Sequence, residues 1–197
     1  MPIQTQHNPL KANHRHGSCL RLSWVMLVFA LLVFTTPLRV MAEQTPPGEY
    51  EVKAALIYTV TKFVDWPDPD GRSTSPLCIA VIGRDPFGPA LDKIRGKLTK
   101  GRNITIKRIK QAHEATGCDI LFVSASEKVN LPRILQQLKQ HPVLTISDQP
   151  GFCQSGGIIN LVTVRNKVNF EINVAAAQQK GIRISSRLLR LAVRIFD

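Results

Sequence analysis

Leu77-Cys78-Ile79-Ala80-Val81-Ile82 is six apolar residues in a row, and Gly83-Arg84-Asp85-Pro86-Phe87-Gly88 follows at once. A run this short and this uniformly apolar reads as a strand buried on both faces, and the glycine- and proline-bearing segment after it reads as a turn. Pro89 can open the next helix, which the pattern carries to about Gly96, because a missing N–H costs nothing in a first helical turn. Two further runs repeat the theme. Asp119-Ile120-Leu121-Phe122-Val123-Ser124 and Val143-Leu144-Thr145-Ile146-Ser147 are both predicted as buried strands. Buried strands separated by helical patterns argue for an α/β fold with a mixed, mostly parallel sheet flanked by helices.

The rest of the chain fills in around these strands. Val52, Ala55, Leu56, Thr59, Val60 and Phe63 recur at helical spacing, predicting a helix from Glu49 that Trp66-Pro67 ends. Ile104, Ile106 and Ile109 alternate with Thr105, Lys107 and Arg108, predicting a half-exposed strand over 103–109. Asn130 is the expected cap of a helix through Lys139. Residues 158–164 and 167–172 read as a C-terminal β-hairpin turned by Arg165-Asn166. Two helices close the chain: one capped by Asn173 and stopped by Gly181, and one that Ser185 or Ser186 caps. In the last, Leu188, Leu191, Ala192 and Ile195 share a face while Arg187, Arg190 and Arg194 share another. Residues 182–184 make one more short strand.

The N-terminus carries a different signature. Lys11, Arg15 and Arg21 precede an apolar stretch from Leu22 to Phe34, Pro37 breaks it, and Val40-Met41-Ala42 has the small-residue pattern of a cleavage site. About thirteen apolar residues fall short of the roughly 20 needed to span a bilayer, so residues 1–42 read as a cleaved secretory signal peptide, with an uncleaved anchor as the alternative. A short leader, 43–48, leads to a domain at 49–197. Residues 1–42 hold four of the 26 basic residues and none of the 14 acidic ones, so the mature chain has 22 against 14, a net charge of +8. That favours acidic or anionic partners. Nucleic acid is not invoked for an exported protein.

Export also frames the cysteines. The mature chain keeps Cys78, Cys118 and Cys153. Cys78 and Cys118 each begin an apolar strand, and two strand starts can lie side by side in one sheet. The expected disulfide is therefore Cys78–Cys118, against the alternative of three buried free thiols.

Catalytic chemistry finds little purchase. His113 and His141 each stand alone, with no partner at metal-ligand spacing, and no metal or other cofactor is expected. Ser124-Ala125-Ser126-Glu127 lacks a nucleophile elbow. The 83–88 turn lacks both the dinucleotide and the P-loop glycine patterns. Together with the Gly151-Phe152-Cys153-Gln154-Ser155-Gly156-Gly157 segment it still supplies candidate anion-binding residues: Gly83, Arg84, Gly88, Gly156 and Gly157.

The ordered motifs resemble one family. Lys53-Ala54-Ala55 with Lys62-Phe63-Val64-Asp65-Trp66-Pro67, the three buried strands, Gly151-Phe152, Gly156-Gly157-Ile158-Ile159-Asn160-Leu161, Phe170-Glu171-Ile172-Asn173 and Ile184-Ser185-Ser186-Arg187-Leu188-Leu189 are similar to the YfiR-like bacterial periplasmic proteins. The resemblance implies regulation rather than catalysis: a periplasmic repressor that binds the periplasmic domain of an inner-membrane diguanylate cyclase. It further implies sequestration by an outer-membrane lipoprotein, a homodimer and a structural disulfide where Cys78 and Cys118 fall. The expected partner surface is Phe170, Glu171, Asn173 and the last helix with Arg187 and Leu189. One departure stands out. The family's second bridge has no counterpart, because Asn160 stands near the missing position and Cys153 is left without a later partner. Cys153 is then either buried or a link between two chains.

Overall fold

The computed structural model describes residues 48–68, 74–165 and 167–197. The signal peptide and most of the leader lie outside the described residues, as does Asn166 of the hairpin turn. In chain order the elements are α1 (Glu49–Phe63), β1 (Val64–Asp65), β2 (Leu77–Ile82), α2 (Pro89–Asp92), β3 (Leu98–Thr99), β4 (Arg102–Ile109), β5 (Ile120–Val123), α3 (Leu131–Gln137), β6 (Leu144–Ser147), β7 (Ile159–Val164), β8 (Lys167–Asn173), α4 (Val174–Gln179), β9 (Arg183–Ile184), α5 (Ser186–Leu189) and β10 (Arg194–Phe196). Single 3-10 turns at Ala112–Ala115 and Ala125–Glu127 precede β5 and α3.

The main sheet has eight strands in the order β10-β8-β7-β6-β5-β2-β4-β3, and β1 and β9 pair apart from it. Every pair from β4 across to β7 is parallel. β8 returns antiparallel to β7, and β10 lies parallel to β8. This is the α/β architecture the sequence predicts.

The three apolar runs are uniform because both faces of the sheet are covered. All four residues of β5 and of β6 are buried. Ile79, Val81, Ile120, Phe122, Leu144 and Ile146 pack on the side of α1, with Phe87 and Leu91 from the α2 region. Ala80, Ile82, Leu121 and Val123 face the other way, against Leu131, Ile134 and Phe152. Fully burying one such side chain stabilises the fold by about 1.5–3 kcal/mol.

Two helices differ from their periodicity. The deepest positions of α1 are Lys53, Ala54, Ile57, Val60 and Thr61, so the helix is rotated from the stripe read in the sequence and Ala55 is exposed. A charged residue can take a buried position only with a partner, and Lys53 has two. Its ammonium donates to Asp148 at 2.7 Å and lies 2.8 Å from Glu49. The Tyr50 hydroxyl donates to the same Asp148 carboxylate at 2.9 Å, and the Thr61 hydroxyl lies 3.0 Å from that of Thr99.

The C-terminal helix, in turn, stops at Leu189 rather than running through Ile195. Ser185 caps it, accepting from the Arg187 N–H. The chain then turns and becomes β10, held to the sheet by the Val193 N–H donating to the Phe170 carbonyl at 2.9 Å. Val193, Ile195 and Phe196 are β-branched or aromatic, which suits a strand, and pairing with β8 satisfies one side of their backbone.

Removing one member of a buried ion pair strands the other charge. Lys53→Met is expected to lower stability by about 3 kcal/mol in urea unfolding, whereas Lys53→Met with Asp148→Leu should recover most of that loss. Burial alone would lower the Lys53 pKa, but the hydrogen bonds it donates to Asp148 and Glu49 outweigh burial and hold the ammonium above its usual 10.5. The pair's contribution is thus complete below pH 10.5 and is lost as the pH rises through the raised value.

Candidate functional site

Parallel pairing of β2 with β5 places Cys78 beside the residues that precede β5. Cys78 and Cys118 are joined as a disulfide with Cα atoms 4.6 Å apart and a sequence separation of 40. Closing a loop of that size stabilises the fold by about 4 kcal/mol in the chain-entropy model. Asp119, next to the bridge, is almost fully buried and fully engaged. It accepts the Cys78 N–H at 2.8 Å and a bidentate Arg102 guanidinium at 2.8 and 2.9 Å. Its carbonyl accepts the Trp66 indole N–H at 2.9 Å. The Trp66-Pro67 motif after α1 is therefore pinned to the start of β5. A small hollow of about 170 Å³ opens here, lined by Trp66, Lys100, Arg102 and Asp119. Arg102 and Asp119 are spent on each other, which leaves the hollow no strong unpaired recognition group from that pair.

The strand order changes direction between β2 and β5, since β4 follows β2 on one side and β5 takes the other. In doubly wound sheets the ligand crevice lies beyond the C-terminal ends of the strands at such a point. Here the chain braces part of that place with its own turns, and a hollow of about 340 Å³ stays open beside them, lined by Ile82, Lys110, His113, Glu127 and Arg133. The Arg84 N–H donates to the Ser126 hydroxyl at 2.9 Å, and the Ser124 hydroxyl donates to the Arg84 carbonyl at 2.7 Å. Gly83 has φ +87°, and a Cβ there would lie 2.5 Å from the Ser126 hydroxyl oxygen, so only glycine allows this approach. Within the turn, Asp85 accepts the Phe87 N–H at 2.8 Å and the Arg108 Nε–H at 2.8 Å. An internal carboxylate thus sits where an anion would be held. Gly88 also has positive φ and leads directly into the four-residue α2.

Gly156 and Gly157 lie elsewhere. They precede β7, which β5 and β6 separate from β2, so the two glycine segments do not line one wall. A Cβ on Gly157 would come within 2.1 Å of the fully buried Phe152 ring. These glycines let the backbone close over that ring.

The five residues predicted for partner binding gather around β8 and α5, but with unequal exposure. Phe170 is core. Asn173 works locally, its side chain accepting the Ala176 N–H at 2.8 Å and donating to the Cys153 carbonyl at 2.9 Å. Glu171 is half-buried; it accepts Asn160 Nδ2 at 3.1 Å and lies 4.0 Å from Arg194. Leu189 is half-buried against the core, and Arg187 is exposed. β10 runs alongside Glu171, Ile172 and Asn173, so the outermost surface on this side belongs to β10. Leu191, Val193 and Ile195 are exposed there, and reading them as a helix missed this. The period-2 alternation of Val193-Arg194-Ile195-Phe196 is the pattern that could have revealed it.

Cys153 is a free, fully buried thiol, which decides between the two states expected for it. Desolvation, helped by the Glu171 charge, pushes its pKa up to about 12, and the backbone of Asn160 approaches the sulfur. The Asn160 Oδ1 has no hydrogen-bond partner among the described residues. Among those residues no group of three or more His, Cys, Asp or Glu is placed to hold a metal, and no helix is long and apolar enough to cross a membrane.

The fold is a doubly wound α/β sheet, at whose β10 edge Leu191, Val193 and Ile195 are exposed. The chain belongs to the YfiR/HmsC-like family, whose model matches residues 50–193. Two solved structures share the fold. A conserved domain protein from Vibrio cholerae is 13% identical with a TM-score of 0.51, over 75% of this chain and 60% of that one. An ABC domain from Streptococcus pneumonia, in complex with L-Trp, is 12% identical with a TM-score of 0.50 and the same coverage. At such identity the likeness is one of fold alone, and this chain spans 60% of the length of either structure.

Two outcomes check this geometry. Non-reducing digestion should yield a linked Cys78–Cys118 peptide pair, and Cys153 should resist iodoacetamide in the folded protein and react only on unfolding; a linked Cys78–Cys153 pair would contradict both. Gly157→Ala should cost about 1–3 kcal/mol in urea unfolding, because neither the Phe152 ring nor the backbone has room to yield.

Proposed function

We propose that this chain is an exported regulatory protein that binds and represses the periplasmic part of an inner-membrane signalling enzyme of the diguanylate cyclase type, and so lowers cyclic di-GMP output. The observation that carries the reading is membership of the YfiR/HmsC-like family across residues 50–193. Its action is regulatory and requires no cofactor of its own. The periplasm is its place of work, reached through the N-terminal 1–42 signal. A homodimer and release by an outer-membrane lipoprotein complete the proposed cycle.

The partner surface in this reading is the β8–α5 side of the molecule. Arg187 is its exposed charge, with Glu171 and Leu189 at its half-buried margin. Phe170 and Asn173 shape it from beneath. A positively charged mature chain suits a partner with an acidic face, since complementary potentials speed and orient association.

Pull-down of the secreted protein with the sensor domains of membrane-bound cyclases from the same cell tests this directly. The expected result is capture of one of them, raised cyclic di-GMP when the gene is deleted, and about tenfold weaker capture by Arg187→Glu, or ~1.4 kcal/mol. No capture by any sensor domain, together with unchanged cyclic di-GMP, would sink the proposal.

A further inference from the structure

The two edges of the main sheet are treated differently. At one edge, β3 adds only two residues to β4. Next to it the 96–97 backbone bonds both the N–H and the carbonyl of Ile104, at 3.0 and 2.8 Å. The Arg95 guanidinium donates to the Ile106 carbonyl at 3.2 Å, and Arg108 is tied to Asp85 and Asp92. That edge is capped and laced with charge, the usual protection against strand addition.

β10 has no such protection. It pairs with β8 on one side, and among the described residues no strand lies on the other. Leu191 is 63% exposed, Val193 53% and Ile195 43%. No proline or bulge interrupts the strip. Arg187, Arg190 and Arg194 stand in or just before it, with no acidic residue from 181 to 196 and Asp197 directly after. Glu171 of β8 is 4.0 Å from Arg194 and already accepts a hydrogen bond from Asn160.

We propose that the outer edge of β10 receives an extended segment of a partner protein whose side chains alternate apolar and acidic. The inference rests on the regulatory reading above and names how the partner is held. Free main-chain groups along the strip supply the hydrogen bonds of strand addition, while Val193 and Ile195 supply apolar contact. The arginines select the sign of the incoming charge. A second copy of this chain fits the strip less well, because it would bring two arginine-flanked strips together with like charge.

The test uses the full chain and two labelled synthetic peptides, one alternating valine and glutamate and one alternating valine and lysine, with binding followed by fluorescence anisotropy and amide exchange. The glutamate peptide should bind at least about tenfold more tightly, lose affinity as salt is raised, and slow exchange at residues 193–196. Arg190→Glu with Arg194→Glu should reverse the preference, and Ile195→Lys should weaken binding of both peptides. The two arginines are exposed, so their replacement keeps the test decisive even where Ile195→Lys disturbs folding. Equal binding of the two peptides, or protection at a different place, would overturn the proposal. So would protection in the free chain of the Arg194 and Phe196 N–H groups, which alternate with the β8-bonded Val193, as a second copy or a segment of the chain itself would cause. Unchanged cyclic di-GMP on gene deletion, with the glutamate peptide still bound at β10, would remove the regulatory reading and leave the edge as a docking strip.

Discussion

Burial of both faces of the parallel strands is the constraint from which the rest of this structure follows. β5 and β6 each leave no residue exposed, so neither can exist without a layer on each side. One layer is α1 and the residues around α2; the other is α3 and the segment that carries Phe152. The core is therefore two apolar layers divided by one sheet, and the polar residues that enter it must bring their partners with them.

Two carboxylates show how. Asp148 follows β6 and Asp119 precedes β5, at opposite ends of the same pair of strands. Asp148 receives Lys53 and Tyr50 from α1. Asp119 receives Arg102 from β4 and the N–H of Cys78. Each carboxylate ties one end of the sheet to a distant part of the chain. The disulfide adds a covalent tie at the Asp119 end. Such pairs are costly to bury and costlier to break, so they specify which helix face meets the sheet.

Side-chain hydroxyls also brace the turn at the strand reversal. Ser124 and Ser126 reach across to the 83–88 turn and take its backbone groups. Three of the exposed large apolar side chains, Leu191, Val193 and Ile195, gather at the β10 edge. A fold often used to hold small ligands here offers a sheet edge flanked by arginines.

Much of this was legible in the residues. The uniform runs at 77–82, 119–124 and 143–147 declare buried parallel strands, because only a doubly covered sheet tolerates them. Cysteines at two strand starts declare a bridge once the strands are taken as neighbours, and the paired glycines at 156–157 declare a close backbone approach. Other features depend on partners that lie far away in the chain. Helical periodicity gave α1 an apolar stripe, yet the face that is buried includes Lys53, because Asp148 lies 95 residues away with its carboxylate in reach. Leu191, Ala192 and Ile195 have helical spacing, yet the free edge of β8 draws the chain into a strand. The sequence by itself determined the central strands, the disulfide and the family pattern, since those rest on local composition and order. Only the tertiary structure decided the buried face of α1, the bracing of the 83–88 turn and the exposed β10 edge, because each is set by which distant backbone or charge comes within hydrogen-bonding distance.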